Sequence, residues 1–302
     1  MGIPTKFGKI RKVIALSTPH YIRKLLSPKI NRHLHFSGKF EARLYGKYSF
    51  KMVANSGKYE NEIYWHGIEG GLEKRSQQIW AEYCKIFKPL HVLDVGANSG
   101  LYSLIAIAQS PISNVTSIEP IPEAVRRMKE NMIINSFQHN IFAGALSNYT
   151  GQGIIYLESE RIYASSVTLN TYSDLAINGE HDSSKEFKEL TVPVSTLSNL
   201  LKTDFCKIPE LVKIDVETHE LQVLSGFGYD LSLSSAFLIE VLNDEIATGL
   251  NVFFENKGFV YFNINDKDNS LRLTSRIQKS DFWNYFICKP EIAKKLTSLS
   301  LR

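Results

Sequence analysis

The chain has 302 residues, 43% hydrophobic and 22% charged, and a formal net charge of +4. That length allows one large or two small domains with a well-buried core, and the composition is that of an ordinary soluble globular protein. No apolar run reaches the length of a membrane span, and Cys84, Cys206 and Cys288 lack the paired spacing of disulfides or a zinc site.

The charge is unevenly placed. Residues 1–40 hold nine Lys and Arg and no Asp or Glu, which leaves −5 for the remainder of the +4 chain. This basic arm has two readings: attraction to an anionic membrane surface or polymer, or a solvated extension. No continuous apolar stretch precedes Arg11 and Lys12, so a cleavable secretion signal is not expected. A cytoplasmic protein with reduced cysteines follows, peripheral to the inner face of the membrane if the arm binds lipid.

Past the arm, Ala42–Tyr45 and Tyr48–Met52 read as strands around Gly46. Tyr64–Gly67 reads as a loop, and Leu72–Phe87 as an amphipathic helix ended by Pro89. From His91 the pattern alternates strands (91–95, 115–119, 140–146) with helices (100–109 and about 122–135), the signature of a doubly wound sheet. Gly153–Leu157 and Ala164–Thr168 read as extended, Asn170–Glu189 as a polar loop, and Leu190–Val194 as a strand that Pro193 keeps at an edge. Leu211–Asp215 and Ala236–Glu240 are further strands, with a short helix at Glu220–Gly226 and a helix ending near Asn256. Phe259–Phe262 and Trp283–Cys288 form a closing strand pair.

The turn Asp94-Val-Gly-Ala-Asn-Ser-Gly100 carries the first chemical signal. Asp94 ends an apolar strand, where ligands bind an open parallel sheet. Gly96 and Gly100 permit a tight turn close to a ligand, and Asn98 is the residue after glycine most tolerant of a left-handed backbone. Glu119, nineteen residues beyond Gly100, ends the next strand and is placed for the two hydroxyls of an adenosine ribose.

Four strands end in acids: Asp94, Glu119, Asp215 and Glu240. Each alone could cap a loop, but a rim that collects all four suggests chemistry. In Lys213-Ile-Asp-Val-Glu-Thr-His-Glu220, strand alternation puts Lys213 and Asp215 on one side, with Glu217 and His219 in the turn that follows. A carboxylate with an imidazole suits general-base work on a hydroxyl; Asp215, Glu217 and Glu240 could instead hold a divalent cation.

These segments resemble the FkbM-type S-adenosylmethionine-dependent methyltransferases: Asp94–Gly100, Ile118-Glu-Pro120, and Lys213-Ile-Asp-Val-Glu-x-His-Glu-Leu-x-Val-Leu-x-Gly226, in order within about Tyr59–Cys288. The resemblance implies a class I methyltransferase (Rossmann-like) α/β fold with a mostly parallel seven-stranded sheet and an antiparallel last strand. It divides the chain into a basic arm and extension (1–58), the methyltransferase domain (59–290) and a tail (291–302). It also implies methylation of a hydroxyl oxygen, often of a sugar in a natural product or surface glycan. By resemblance Asp94, Gly96, Asn98 and Gly100 cradle the methionine end of S-adenosylmethionine, Glu119 takes the ribose, and Ala145, Leu146 and Ser147 lie beside the adenine. Asp215 is the first choice as base, with Glu217, His219 and Glu240 behind it. Thr218 stands where the family usually has Gly, so the turn is either ordinary or reshaped. Tyr64, Trp65 and His66 could form a lid or sugar-stacking wall, or pack in the core.

Three other classes remain in view. A NAD-dependent oxidoreductase would also use Glu119, but the loop lacks G-x-G-x-x-G spacing. A nucleic-acid methyltransferase would use the basic arm, though the core is acidic and no nucleic acid is expected as partner. A non-catalytic cofactor-binding protein would keep the loop alone.

Overall fold

Strand alternation sorts the side chains of a central sheet onto two faces, and that sorting builds the site. The computed structural model describes residues 36–44, 48–55, 58–158 and 187–300. The basic arm through residue 35, the segment read as extended at Ala164–Thr168 and residues 170–186 of the polar loop lie outside them.

β1 (Ser37–Leu44) and β2 (Tyr48–Asn55) pair antiparallel as a hairpin. α1 (Lys58–His66) follows, where the sequence reads as a loop at Tyr64–Gly67. Tyr64 and Trp65 are 3% and 1% exposed, and the Tyr64 ring stacks on Phe36 at 3.8 Å between centroids. Burial against the hairpin stabilises a helix too short to stand on propensity. The same contacts place these two rings in the core and correct their reading as a lid; His66 lies beside Glu62 at 3.7 Å. α2 (Lys74–Phe87) begins after Glu73, whose φ is +52°, and ends at Lys88, whose N–H donates to Cys84 O at 3.0 Å just before Pro89.

The alternating part then runs β3 (His91–Val95), α3 (Leu101–Gln109), β4 (Asn114–Ile118), α4 (Pro122–Asn135), β5 (Asn140–Phe142), β6 (Ala145–Leu146), β7 (Gly151–Glu158) and β8 (Phe187–Ser195). After it come α5 (Leu197–Lys202), β9 (Leu211–Ile214), α6 (Glu220–Ser225), β10 (Ala236–Glu240), α7 (Asp244–Phe254), β11 (Val260–Asn265), β12 (Ser270–Thr274), β13 (Asn284–Cys288) and α8 (Pro290–Ser300). The central sheet has the order β12-β11-β13-β10-β9-β3-β4-β5, parallel from β10 to β5, with β13 antiparallel to both β10 and β11. This is the doubly wound, mostly parallel α/β architecture expected.

Three details differ from the sequence reading. The sheet has eight strands, because β12 extends the edge; Leu273 on it is 68% exposed, so it carries no apolar pattern. The stretch 140–146 is two strands, not one. A Cβ at Gly144 would lie 2.6 Å from both the Phe142 ring and Pro193 O, and past that point β6 leaves the central sheet to pair with β8. Finally, β8 lies between β6 and β7 rather than at an edge. Pro193 is tolerated because β6 pairs only with Val194 and Ser195.

One face of the central sheet packs Val92, Leu211, Ala236 and Leu238 with the hairpin, α1, α2, α3 and α8. The other packs Leu93, Val95, Val212, Ile214, Phe237 and Ile239 with α5, α6 and α7. With period two, Asp94, Lys213 and Glu240 fall on the first face. The register sets Asp94 opposite Lys213, and Lys213 opposite Leu238, one same-face step before Glu240. No helix among the described residues is long and apolar enough to cross a membrane. The three cysteines are buried and form no disulfide.

Candidate active site

A cleft of about 440 Å³ opens at the carboxyl ends of β3, β4, β9 and β10. Its first half is the turn after β3. Gly96 and Gly100 have φ of +76° and +83°, and Asn98 has φ of +50°, so all three take the left-handed backbone their side chains permit. The glycines answer to neighbouring chain as well as to ligand. A Cβ at Gly96 would lie 1.8 Å from the Asp215 carbonyl oxygen, and one at Gly100 would lie 2.7 Å from Met128 Cγ on α4. Gly96 and Asn98 line the cleft; Gly100 lies behind it, as a packing contact.

Asp94 is likewise behind the wall. It is fully buried and accepts from Ser103 N (3.1 Å) and Ser103 Oγ (2.6 Å), which fastens α3 to β3. Burial raises its carboxyl above the ordinary range, and the Lys213 charge opposes that rise. Glu119 does line the cleft. Its two carboxylate oxygens accept from Asn98 N (2.8 Å) and Ile121 N (2.9 Å), so it bridges the turn after β3 to the turn after β4. Burial pushes it up to about 7. Ile118, Pro120, Ile121, Ala145 and Leu146 complete an apolar strip beside it.

The second half is acidic. Lys213, 4% exposed, donates to Asp215 Oδ2 at 2.7 Å and lies 4.8 Å from the centre of the Tyr102 ring. Burial opposes its charge, but Asp215, Asp94 and Glu73 more than offset that and hold its ammonium on. Glu217 and Thr218 follow at φ of +53° and +79°. The turn is therefore neither ordinary nor reshaped: Thr218 itself adopts the left-handed conformation that glycine would supply. It leads into His219 at the head of α6, where Nε2 meets Ser147 Oγ at 3.0 Å. Gly226 closes the same contact, since a Cβ there would lie 2.0 Å from Ser147 O.

Glu240 lines this half at 8% exposure. Burial first, then the charges of Asp215, Glu217 and Glu73, lift its carboxyl far above the usual range. Among the described residues no three His, Cys, Asp or Glu are grouped to hold a metal ion. Asp215, one of the three residues read as a cation set, is paired with Lys213 at 2.7 Å.

Five cleft residues escape sequence reading: Tyr59 on α1, Glu73, Tyr102 on α3, Leu242 and Trp283. Tyr102 Oη donates to Glu73 Oε2 at 3.0 Å. Glu73 precedes an ordinary amphipathic helix, and Trp283 precedes a strand. Neither position carries a spacing signal.

Residues 94–276, more than half of the chain, match the FkbM methyltransferase domain. The chain belongs to that family. The hexuronic acid methyltransferase AglP of Haloferax volcanii is 28% identical over 148 residues, which are 49% of this chain and 54% of that protein. The FkbM chain thus spans about half the length of that relative. Among solved structures, an S-adenosylmethionine-dependent methyltransferase from Agrobacterium tumefaciens aligns with a TM-score of 0.43 at 10% identity, covering 84% of this chain and 71% of that one. An O-methyltransferase from Bacillus cereus in complex with S-adenosylhomocysteine aligns at 0.41 and 10% identity, covering 72% and 80%.

The residues present fit the cofactor that the FkbM family name implies. The turn without a Cβ at Gly96 admits backbone contact, the Glu119 carboxylate stands at the next strand end, and the apolar strip can receive a flat base.

Proposed function

We propose that this FkbM-family chain is an S-adenosylmethionine-dependent O-methyltransferase whose acceptor is a sugar hydroxyl, in a surface glycan or a natural product. One observation carries the reading: a single cleft joins a nucleoside-type half at Gly96, Asn98 and Glu119 to a half that presents Asp215 and His219. The likeness to a hexuronic acid methyltransferase supports a sugar as acceptor.

In this reading Gly96, Asn98 and Glu119 orient the cofactor, with Ala145 and Leu146 against its adenine. When bound, S-adenosylmethionine supplies an electrophilic methyl group on a sulfonium. Asp215 accepts the proton of the acceptor hydroxyl as its oxygen is alkylated, and Lys213 steadies that carboxylate at 2.7 Å. His219, held by Ser147, positions the hydroxyl or carries the proton onward, and Glu217 stands beside both. Alignment and exclusion of water supply most of the acceleration.

The test combines calorimetry with S-adenosylhomocysteine and radiolabelled methyl transfer to a panel of glycosides and glycan extracts. Asp215→Ala is expected to lower transfer roughly a hundredfold or more while cofactor affinity stays within about threefold. Transfer by the variant at the wild-type rate would remove Asp215 as base. Binding of NAD without S-adenosylhomocysteine would overturn the reading altogether.

A further inference from the structure

The proposed transfer leaves Trp283 without a part, although it lines the cleft. The sequence holds three tryptophans. Trp65 and Trp80 are 1% and 0% exposed in the core, whereas Trp283 is 56% exposed. A large apolar ring gains by leaving water, and an indole at the rim of a cleft offers that gain to whatever enters.

The exposure does not come from a loose main chain. Trp283 O accepts from Val241 N at 2.7 Å, which ties it to the end of β10. The preceding carbonyl, Phe282 O, accepts from Asn263 Nδ2 at 2.8 Å and from Ser280 Oγ at 2.7 Å. The Phe282 ring has Lys267 and Arg272 against it, 5.6 and 5.5 Å from its centre. These contacts fix the backbone from which the indole projects, so little freedom is lost when a ligand covers it.

The order of strands says which ligand that is. In the run β13-β10-β9-β3-β4-β5 the cofactor half lies at β3 and β4, and Asp215 follows β9. β13 runs antiparallel to β10 with Asn284 opposite Glu240, so Trp283 stands at the same rim as Asp215. It lies two strand spacings, about 10 Å, beyond Asp215. Leu242 follows β10, the strand between, and also lines the cleft. The apolar strip proposed for the adenine begins at Ile118, the end of β4, on the opposite side of Asp215. An acceptor attacking the methyl group therefore occupies the Trp283 side. A pyranose has hydroxyls at its edge for Asp215 and a face of C–H groups for the indole.

We propose that Trp283 is the platform on which the ring of the acceptor sugar stacks, with Leu242 beside it. The inference rests on the sugar-hydroxyl reading and deepens it: the cleft selects a ring with an apolar face over an open-chain polyol that offers the same hydroxyls.

The experiment uses the full chain as wild type, Trp283→Ala and Trp283→Phe. Because Trp65 and Trp80 are buried, acrylamide quenching of tryptophan emission reports chiefly on Trp283. Quenching is measured on the protein alone, with S-adenosylhomocysteine, and then with methyl β-glycosides of glucose, galactose, N-acetylglucosamine or glucuronic acid. Glycerol serves as the control that has hydroxyls and no ring. Covering one of the two indole faces is expected to cut the wild-type quenching constant by about half with at least one glycoside. Glycerol and S-adenosylhomocysteine alone should leave it unchanged. By calorimetry, Trp283→Ala should bind that glycoside about tenfold more weakly, and Trp283→Phe within about threefold of wild type. Both variants should bind S-adenosylhomocysteine within about twofold of wild type. The proposal is overturned if no glycoside shields Trp283, if glycerol shields it equally, or if Trp283→Ala binds the shielding glycoside as tightly as wild type. Shielding by S-adenosylhomocysteine alone would also overturn it, by assigning the indole to the cofactor. Failure of wild type to bind S-adenosylhomocysteine would instead strike the methyltransferase reading, and shielding by the glycosides is readable without it.

Discussion

At the residue scale, the site is bought with backbone strain. Glu73, Asn98, Glu217 and Thr218 all take positive φ around one cleft, and only Asn98 is a residue that does so readily. Thr218 is the extreme case, a β-branched side chain at φ +79°. Such a residue costs about 1–3 kcal/mol and persists only where its surroundings fix it. Thr218→Gly is therefore expected to raise unfolding stability by about 1 kcal/mol, read as a higher urea midpoint at unchanged slope. An equal or lower midpoint would mean that Thr218 makes contacts worth more than the strain. The glycines were legible as turn formers, but half of their reason was not. That Gly96 meets the Asp215 carbonyl, and Gly100 the Met128 side chain, depends on chain segments far away in sequence.

At the element scale, the hairpin is the piece that sequence places least well and the structure uses most. β2 has no partner in the central sheet; α4 receives it instead. Asn131 Oδ1 accepts from Val53 N at 2.8 Å, Asn131 Nδ2 donates to Ser99 O at 2.9 Å, and Asn135 Oδ1 accepts from Lys51 N at 2.7 Å. One asparagine thus ties the hairpin and the turn after β3 to the same helix. Asn131→Ala would orphan a buried N–H and a carbonyl, costing about 2–4 kcal/mol. It should also weaken S-adenosylhomocysteine binding several-fold. A stability loss with cofactor affinity untouched would show that the turn holds its shape without Ser99 being tied.

Strands β3, β4, β9 and β10 were legible because each is a short apolar run closed by an acid or a turn. α1 was not, since its helical state comes from Tyr64 and Trp65 packing on the hairpin. β12 was not either, because an exposed edge strand needs no apolar period. The carboxylates at strand ends were readable for the same reason as the strands. Glu73 and Tyr102 join them only through the stacking of α2 and α3 on the sheet.

At the scale of the whole molecule, concentrating acids in one buried rim makes folding depend on pH. Burial lifts Glu119 and Glu220 from 4.5 to about 7 each. The folded state then holds more protons than the unfolded state between about pH 4.5 and 7. The stability these groups contribute is therefore present below that window, falls as pH rises through it, and is level above it. Urea midpoints from pH 4.5 to 8 should show a shallower decline for Glu220→Gln than for wild type, with the variant the more stable at pH 8. Parallel profiles would mean that Glu220 is solvated by water in the folded protein.

The contact between Gly96 and Asp215 reaches beyond local fit. The Asp215 N–H donates to Val95 O at 3.1 Å, and its carbonyl fills the space a Cβ at Gly96 would take. In the proposed transfer, methyl donor and proton acceptor are therefore mounted on two chain segments locked main chain to main chain, with no side chain between them to act as a spacer. Their separation is a fixed dimension of the scaffold, not a distance set anew by each closing of a lid. A bulkier residue at 96 would act like a shim, spoiling the trajectory of methyl transfer before it spoiled the grip on either ligand.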